Sequence, residues 1–195
     1  MESKDELFKQ EIISVSRVIF QRFGYAKVSM SDIAREVRKG RSTLYYYFNN
    51  KKEVFDAVIL EDTTAIFSAA SVRTSEWVSF KENLLAYNHA KLEGISVLIE
   101  RYTRIVADIR ENPALILSIK KQLDAKEVSV FKQLLVWGIA RKDIAELNSK
   151  DLDYLTTTLV TALSSMEQEL FLHGRIEDMV VRLEWLTTIL GKGLK

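Results

Sequence analysis

Apolar residues recur along this chain at intervals of three and four with polar residues between them, the period of helices that bury one face. No segment alternates apolar and polar positions as a half-buried strand does. The first helix is predicted from about Lys4 to Phe23, with Ile12, Val15, Ile19, Phe20 and Phe23 as its apolar stripe and Gly24 as its stop. Ser29 then predicts an N-cap, with Asp32 three positions on completing a capping box, for a short helix through Ile33, Ala34 and Val37. Arg38, Lys39 and Gly40 read as a turn, and Arg41 to Phe48 as a third short helix.

Asn49 or Asn50 caps a fourth helix reaching about Ala70. The polar run "RTSEW", Arg73 to Trp77, breaks the pattern before a long helix or helix pair that extends to Asn112, with Gly94 as a candidate kink. Pro113 suits the first turn of a further short helix, followed by one from about Asp124 to Arg141. Ser149 caps a helix ending near Gly174, and the last runs from about Arg175 to Leu190. With one proline and seven glycines in 195 residues, the pattern implies an all-α fold of about nine helices.

Hydrophobic residues make up 47% of the chain, enough for a substantial core. Charge changes the picture more. The totals nearly cancel, 28 Lys+Arg against 27 Asp+Glu, so any attraction for a polyanion must be local. It is: Arg22, Lys27, Arg35, Arg38, Lys39, Arg41, Lys51 and Lys52 face only Asp32 and Glu36 over that stretch. The rest is mildly acidic, which suggests a basic domain over residues 1–50 and a second over 51–195. With no cysteine there are no disulfides, thiolate nucleophiles or thiolate metal sites. The charged start "MESKDELFKQ" has no signal-peptide pattern, and no run approaches the ~18 apolar residues of a membrane span, so a cytoplasmic location without membrane attachment is expected.

Two short helices joined by a glycine-containing turn are the pattern of a helix-turn-helix, whose second helix enters the DNA major groove. Leu44 and Phe48, four apart, should dock that helix on Ile33, Ala34 and the first helix, which leaves Tyr46 on the opposite side. Ser42, Thr43 and Tyr45 flank it with hydroxyls able to meet phosphates or base edges. Lys39, Gly40 and Arg41 lie at the turn and helix start, where Arg41 can reach guanine or a phosphate. Lys51, and Ser29 and Ser31 at the second helix, are candidates for phosphate contacts at helix N-termini. Two rivals stand beside this reading: a helical enzyme or ligand carrier with an incidental basic region, and a DNA-packaging protein without sequence preference.

"FQRFGYAKVSMSDIAREV" and "GRSTLYYYFNNKKEVFDAVI" together resemble the N-terminal domain of the TetR family of bacterial transcriptional regulators, over about fifty of the 195 residues. The resemblance implies a homodimeric, usually repressing, operator-binding protein whose C-terminal helices hold a small-molecule inducer site. It implies DNA contacts at Ser29, Thr43, Tyr45, Tyr46, Tyr47 and Lys51, with Leu44 and Phe48 structural. The sequence departs from the family where glycine usually stands at Arg38 and serine or glycine at Gly40, which leaves the turn geometry open.

Beyond Glu53 there is no catalytic constellation, glycine-rich phosphate loop or serine elbow, so no enzyme is expected. No cofactor is called for, and His89 with Glu93 supplies too few ligands for a metal. The last two helices carry apolar stripes. Stripes at this spacing also fit an intramolecular core, but reading adjacent major grooves takes two copies about 34 Å apart, and Leu155, Leu159, Leu163, Met166, Leu170, Met179, Leu183, Leu186 and Leu190 are the expected dimer interface. Tyr87, His89, Tyr102, Trp137 and Tyr154 could line an apolar cavity with polar handles for the inducer, whose identity nothing in the sequence gives.

Overall fold

The computed structural model describes residues 4–173 and 176–194, the side chains of 169–173 and 176–178 excepted. Those residues form nine α-helices and no strand: α1 Lys4–Lys27, α2 Met30–Glu36, α3 Arg41–Tyr47, α4 Lys51–Ser71, α5 Phe80–Arg101, α6 Thr103–Glu111, α7 Leu117–Ala140, α8 Ser149–His173 and α9 Ile176–Gly193. Pro113–Ile116 form a 3₁₀ turn ahead of α7. The helices fall into two compact units, one of residues 1–62 and 98–120, the other of 63–97 and 121–195.

In the first unit Ile12, Phe20, Ile33, Leu44, Phe55, Ile105 and Ile109 are buried. The Phe55 ring meets Phe20 edge-on at 5.5 Å and Tyr25 at 4.8 Å, contacts that tie both ends of the basic segment into one core. Helix α6 belongs to this unit. Tyr102, between α5 and α6, donates its hydroxyl to Asp62, which also accepts from Arg17 Nε at 2.9 Å. The break in the long helical stretch therefore falls at Tyr102, with φ −110° and ψ 36°, and not at Gly94. Gly94 sits inside α5 because Ile66 fills the space beside it: an added Cβ would lie 2.6 Å from Ile66 Cγ2.

The second unit packs Phe80, Leu84, Tyr87, Phe131, Leu134, Leu135, Leu159, Leu163, Met179 and Leu183 into its core. Helix α7 begins at Leu117, seven residues before the start at Asp124 that its sequence suggested, directly after the 3₁₀ turn. It ends in the left-handed conformation at Lys142, φ 64°, where Asp143 N donates to Gly138 O and Lys142 N to Ile139 O.

Candidate nucleic-acid interface

The basic segment begins where α1 bends. Gly24 has φ 80°, a conformation that side chains resist. The Asp108 carboxylate from α6 accepts the Tyr25 and Ala26 N–H groups at 2.5 and 3.1 Å, capping the turn that restarts after the bend. A Cβ on Gly24 would lie 2.7 Å from Asp108 Oδ2, so glycine serves here for close approach as well as for backbone freedom.

Ser29 caps α2 as expected. Its Oγ accepts Asp32 N–H at 3.2 Å and donates to Asp32 Oδ2 at 2.6 Å, while Ser29 N–H donates to the same carboxylate at 3.0 Å. The bonds from Ser29, helped by Arg35, hold the Asp32 carboxyl below its ordinary range. Ser31 is exposed beside it.

Helix α2 ends in a paired hydrogen-bond motif: Lys39 N–H donates to Ala34 O at 3.0 Å and Arg38 N–H to Arg35 O at 3.1 Å. Arg38 occupies its left-handed position at φ 56°. The turn thus takes the backbone that suits glycine while carrying an arginine. Gly40, at φ −66° and ψ 152°, is an extended N-cap for α3.

On α3, Leu44 and Phe48 keep 1% and 4% exposure, whereas Tyr46 keeps 76% and Tyr45 42%. The three consecutive tyrosines divide their work. Tyr47 turns back onto α1: its hydroxyl donates to Asp5 Oδ1 at 2.9 Å and its ring meets Phe8 edge-on at 5.2 Å. Tyr46 and Tyr45 face outward with exposed Arg41 and Ser42 and half-exposed Thr43. The Arg41 guanidinium lies 6.0 Å from the Tyr45 ring centroid, and Lys39 Nζ lies 5.8 Å from that of Phe8.

Asn50 caps α4, its Oδ1 accepting Glu53 N–H at 3.0 Å, while the Glu53 carboxylate accepts Asn49 N–H at 2.9 Å. Lys51 in the first turn lies against α1: its Nζ donates to Tyr25 O at 2.7 Å and sits 4.1 Å from the centroid of the Tyr25 ring. Burial lowers the pKa of its ammonium. Asp108 on the N–H and Lys51 on the carbonyl thus hold the Tyr25 residue from both ends, an arrangement between residues far apart in sequence that no local pattern announces.

The second unit arranges the remaining sequence candidates differently from their listing along the chain. Tyr87 is fully buried there, whereas Tyr154 is 62% exposed. His89 is partly exposed with Nε2 3.6 Å from Glu184, Trp137 is half-buried, and Tyr102 belongs to the other unit. Leu159, Leu163, Met179 and Leu183 are committed to the unit's own core and present no surface to a second copy, because the apolar stripe of each helix turns inward there. Leu155, Met166, Leu186 and Leu190 are half-buried against that core, and the Leu170 side chain lies outside the described residues. Helix α9 instead exposes Val181, Trp185 and Ile189, four residues apart. Among the described residues no group of three acidic or histidine side chains could hold a metal, and no helix is long and apolar enough to cross a membrane.

An all-helical chain with a capped helix-turn-helix and an outward hydroxyl-rich second helix falls in the class of helix-turn-helix proteins. Residues 12–58 match the family model described as bacterial regulatory proteins, tetR family. An HTH-type transcriptional regulator of the lacX 3′ region of Lactococcus lactis is 37% identical over 51 residues, 26% of each chain, so the match spans about a quarter of the length of that curated relative. A TetR-family transcriptional regulator from Pectobacterium atrosepticum superposes with a TM-score of 0.68 at 19% identity, covering 99% of this chain and 97% of that one. A transcriptional regulator from Cytophaga hutchinsonii gives 0.68 at 20% identity over 95% and 97%. Residues 12–58 are thus similar to the tetR family of bacterial regulatory proteins, and along its length the chain has a fold similar to that of the two solved structures.

Proposed function

We propose that this protein is a sequence-specific, DNA-binding transcriptional regulator that acts as a homodimeric repressor in the cytoplasm and is released from its operator by a small molecule. The observation that carries the reading is the second helix of the helix-turn-helix, docked through Leu44 and Phe48 with Tyr46 76% exposed on its far side. A tyrosine so exposed, flanked by Tyr45, Thr43, Ser42 and Arg41, matches a surface that meets base edges and thymine methyls. Lys39, Gly40, Ser29 and Ser31 border it, and backbone contacts there would set the register. In this reading residues 1–50 are the DNA-binding domain and 51–195 the regulatory one.

Tyr47 and Lys51 enter the reading with their polar ends already engaged, by Asp5 and by the Tyr25 carbonyl. Either would have to exchange that partner for a phosphate on binding. For the dimer, the exposed Val181, Trp185 and Ile189 stripe on α9 supplies the face that a second copy would cover. The inducer acts by binding better to a form whose two recognition helices are wrongly spaced, and a coupling of ~1–3 kcal/mol lowers operator affinity roughly 5- to 150-fold. No catalytic role is assigned.

Selecting bound duplexes from a random pool tests the function. Recovery of a site with two-fold symmetric halves about 34 Å apart, bound ~10³ to 10⁷ times more tightly than random DNA, is the expected result. A pool that stays random under selection would refute the proposal.

A further inference from the structure

Among the polar side chains that helix α5 buries in the second unit, Tyr87, Asn88 and Lys91 keep 0%, 1% and 0% of their surface exposed. The Lys91 ammonium contacts the carboxylate of Glu127 on α7 and that of Glu167 on α8. The rings of Phe67 on α4 and Tyr87 each lie 5.5 Å from Lys91 Nζ, so carboxylates and aromatic faces share the enclosure of one cation.

Among the described residues this cluster is not balanced. Two carboxylates answer one ammonium, and an uncompensated charge out of water is strongly disfavoured. On α5, three residues before Lys91, one buried polar atom also lacks a partner, although buried polar groups are nearly always hydrogen-bonded. Asn88 donates Nδ2–H to Leu84 O at 2.8 Å, which leaves its Oδ1 as an unused acceptor. The Tyr87 hydroxyl faces the Glu127 carboxylate, whose charge and hydrogen bond raise its pKa further after burial has done so. The site thus offers a surplus negative charge, a free acceptor and two aromatic faces, and those needs point the same way.

We propose that this interior cluster binds an organic cation: a primary amine or another N–H-bearing ammonium or amidinium on an apolar body. Glu167 takes the charge, Asn88 Oδ1 accepts an N–H, and the Phe67 and Tyr87 rings pack the body. A neutral or anionic molecule would leave the surplus charge unanswered. The inference rests on the regulatory reading above and gives its effector a chemical class. A proton on Glu167 answers the same charge: burial carries the Glu167 carboxyl up to about 7 against the opposing pull of the Lys91 ammonium, with the Glu127 and Asp124 carboxylates adding to the rise. Asp124, which accepts from Ser164 Oγ at 2.8 Å, stands on α7 one turn before Glu127. Cation and proton therefore compete, and amine affinity should rise with pH.

The test uses the intact protein without DNA, so its outcome does not depend on whether an operator exists. Phenethylamine and a panel of other alkyl and aryl primary amines are titrated by calorimetry and thermal shift, with 2-phenylethanol as the uncharged match of the first. Expected are saturable binding of at least one amine, none of 2-phenylethanol, and tighter amine binding at about pH 8 than at about pH 6. Glu167→Gln should weaken binding by roughly tenfold or more and abolish its pH dependence. Asn88→Ala, which removes only the acceptor, should weaken it several-fold and serves if Glu167→Gln does not fold. Equal binding of 2-phenylethanol, affinity independent of pH, or no amine binding at millimolar concentration would overturn the proposal.

Discussion

Replacing Arg38 by glycine should stabilise the protein, although the arginine breaks no contact by being there. Its φ of 56° places a Cβ in the left-handed region, which costs a non-glycine residue about 1–2 kcal/mol. The two hydrogen bonds that close α2, Lys39 N–H to Ala34 O and Arg38 N–H to Arg35 O, require that conformation, so the cost is present in every folded molecule. Glycine removes it but returns about 0.4–1 kcal/mol through the greater freedom of its unfolded chain. The net gain is then about 0.5–1 kcal/mol, or a rise in melting temperature of roughly 1–4 °C for a chain of this length. Arg38→Ala provides the control, since it removes the exposed charge and keeps the Cβ. Thermal and urea unfolding followed by circular dichroism should rank glycine above alanine, with alanine close to the natural protein. A glycine variant no more stable than the alanine one would mean that the turn does not hold the left-handed backbone, and the description of the helix-turn-helix would fall with it.

Gly24→Ala should act in the opposite direction: its φ of 80° and the 2.7 Å approach of Asp108 Oδ2 together predict a loss of about 2–3 kcal/mol, measurable by urea unfolding. Lys51→Ala separates two uses of one ammonium. Direct phosphate contact predicts that the salt slope of DNA binding falls by about 0.9 per lost contact, whereas a role confined to holding Tyr25 predicts weaker binding at an unchanged slope. Glu167→Gln should flatten stability against pH. A carboxyl raised from 4.5 to about 7 in the folded chain stabilises it below about 4.5, and that contribution is lost as pH rises to about 7. Urea unfolding at about pH 5 and pH 8 should therefore differ in the natural protein more than in the variant, and an equal difference in both would refute the assignment.

The parts of this architecture that depend on neighbours in sequence could be read from it. Ser29 with Asp32, Asn50 with Glu53, and Leu44 with Phe48 each act within one helical turn, and each stands where its spacing placed it. Gly24 was legible as an interruption, although α1 bends there and runs on to Lys27 instead of stopping; the reason was not legible, because the carboxylate that approaches comes from Asp108, 83 residues from the Tyr25 N–H it accepts. The same limit hid the turning of Tyr47 toward Asp5 and of Lys51 toward Tyr25. Periodicity marks an apolar stripe without saying what covers it. Leu159, Leu163 and Leu183, which resembled an interface, fill the unit's own core, whereas the adjoining Val181, Trp185 and Ile189 are exposed. Lys91 is the sharpest case: a lysine reads as surface, and only the two acids brought to it from α7 and α8 place it at 0% exposure.

The measurement closest to the central claim compares Tyr46→Ala with the natural protein on a selected operator duplex and on random duplex at the same salt. If the outward face of α3 reads bases, the substitution should weaken operator binding by about 1–3 kcal/mol per site and leave random-duplex binding nearly unchanged. Equal losses on both duplexes, or none on either, would contradict that claim.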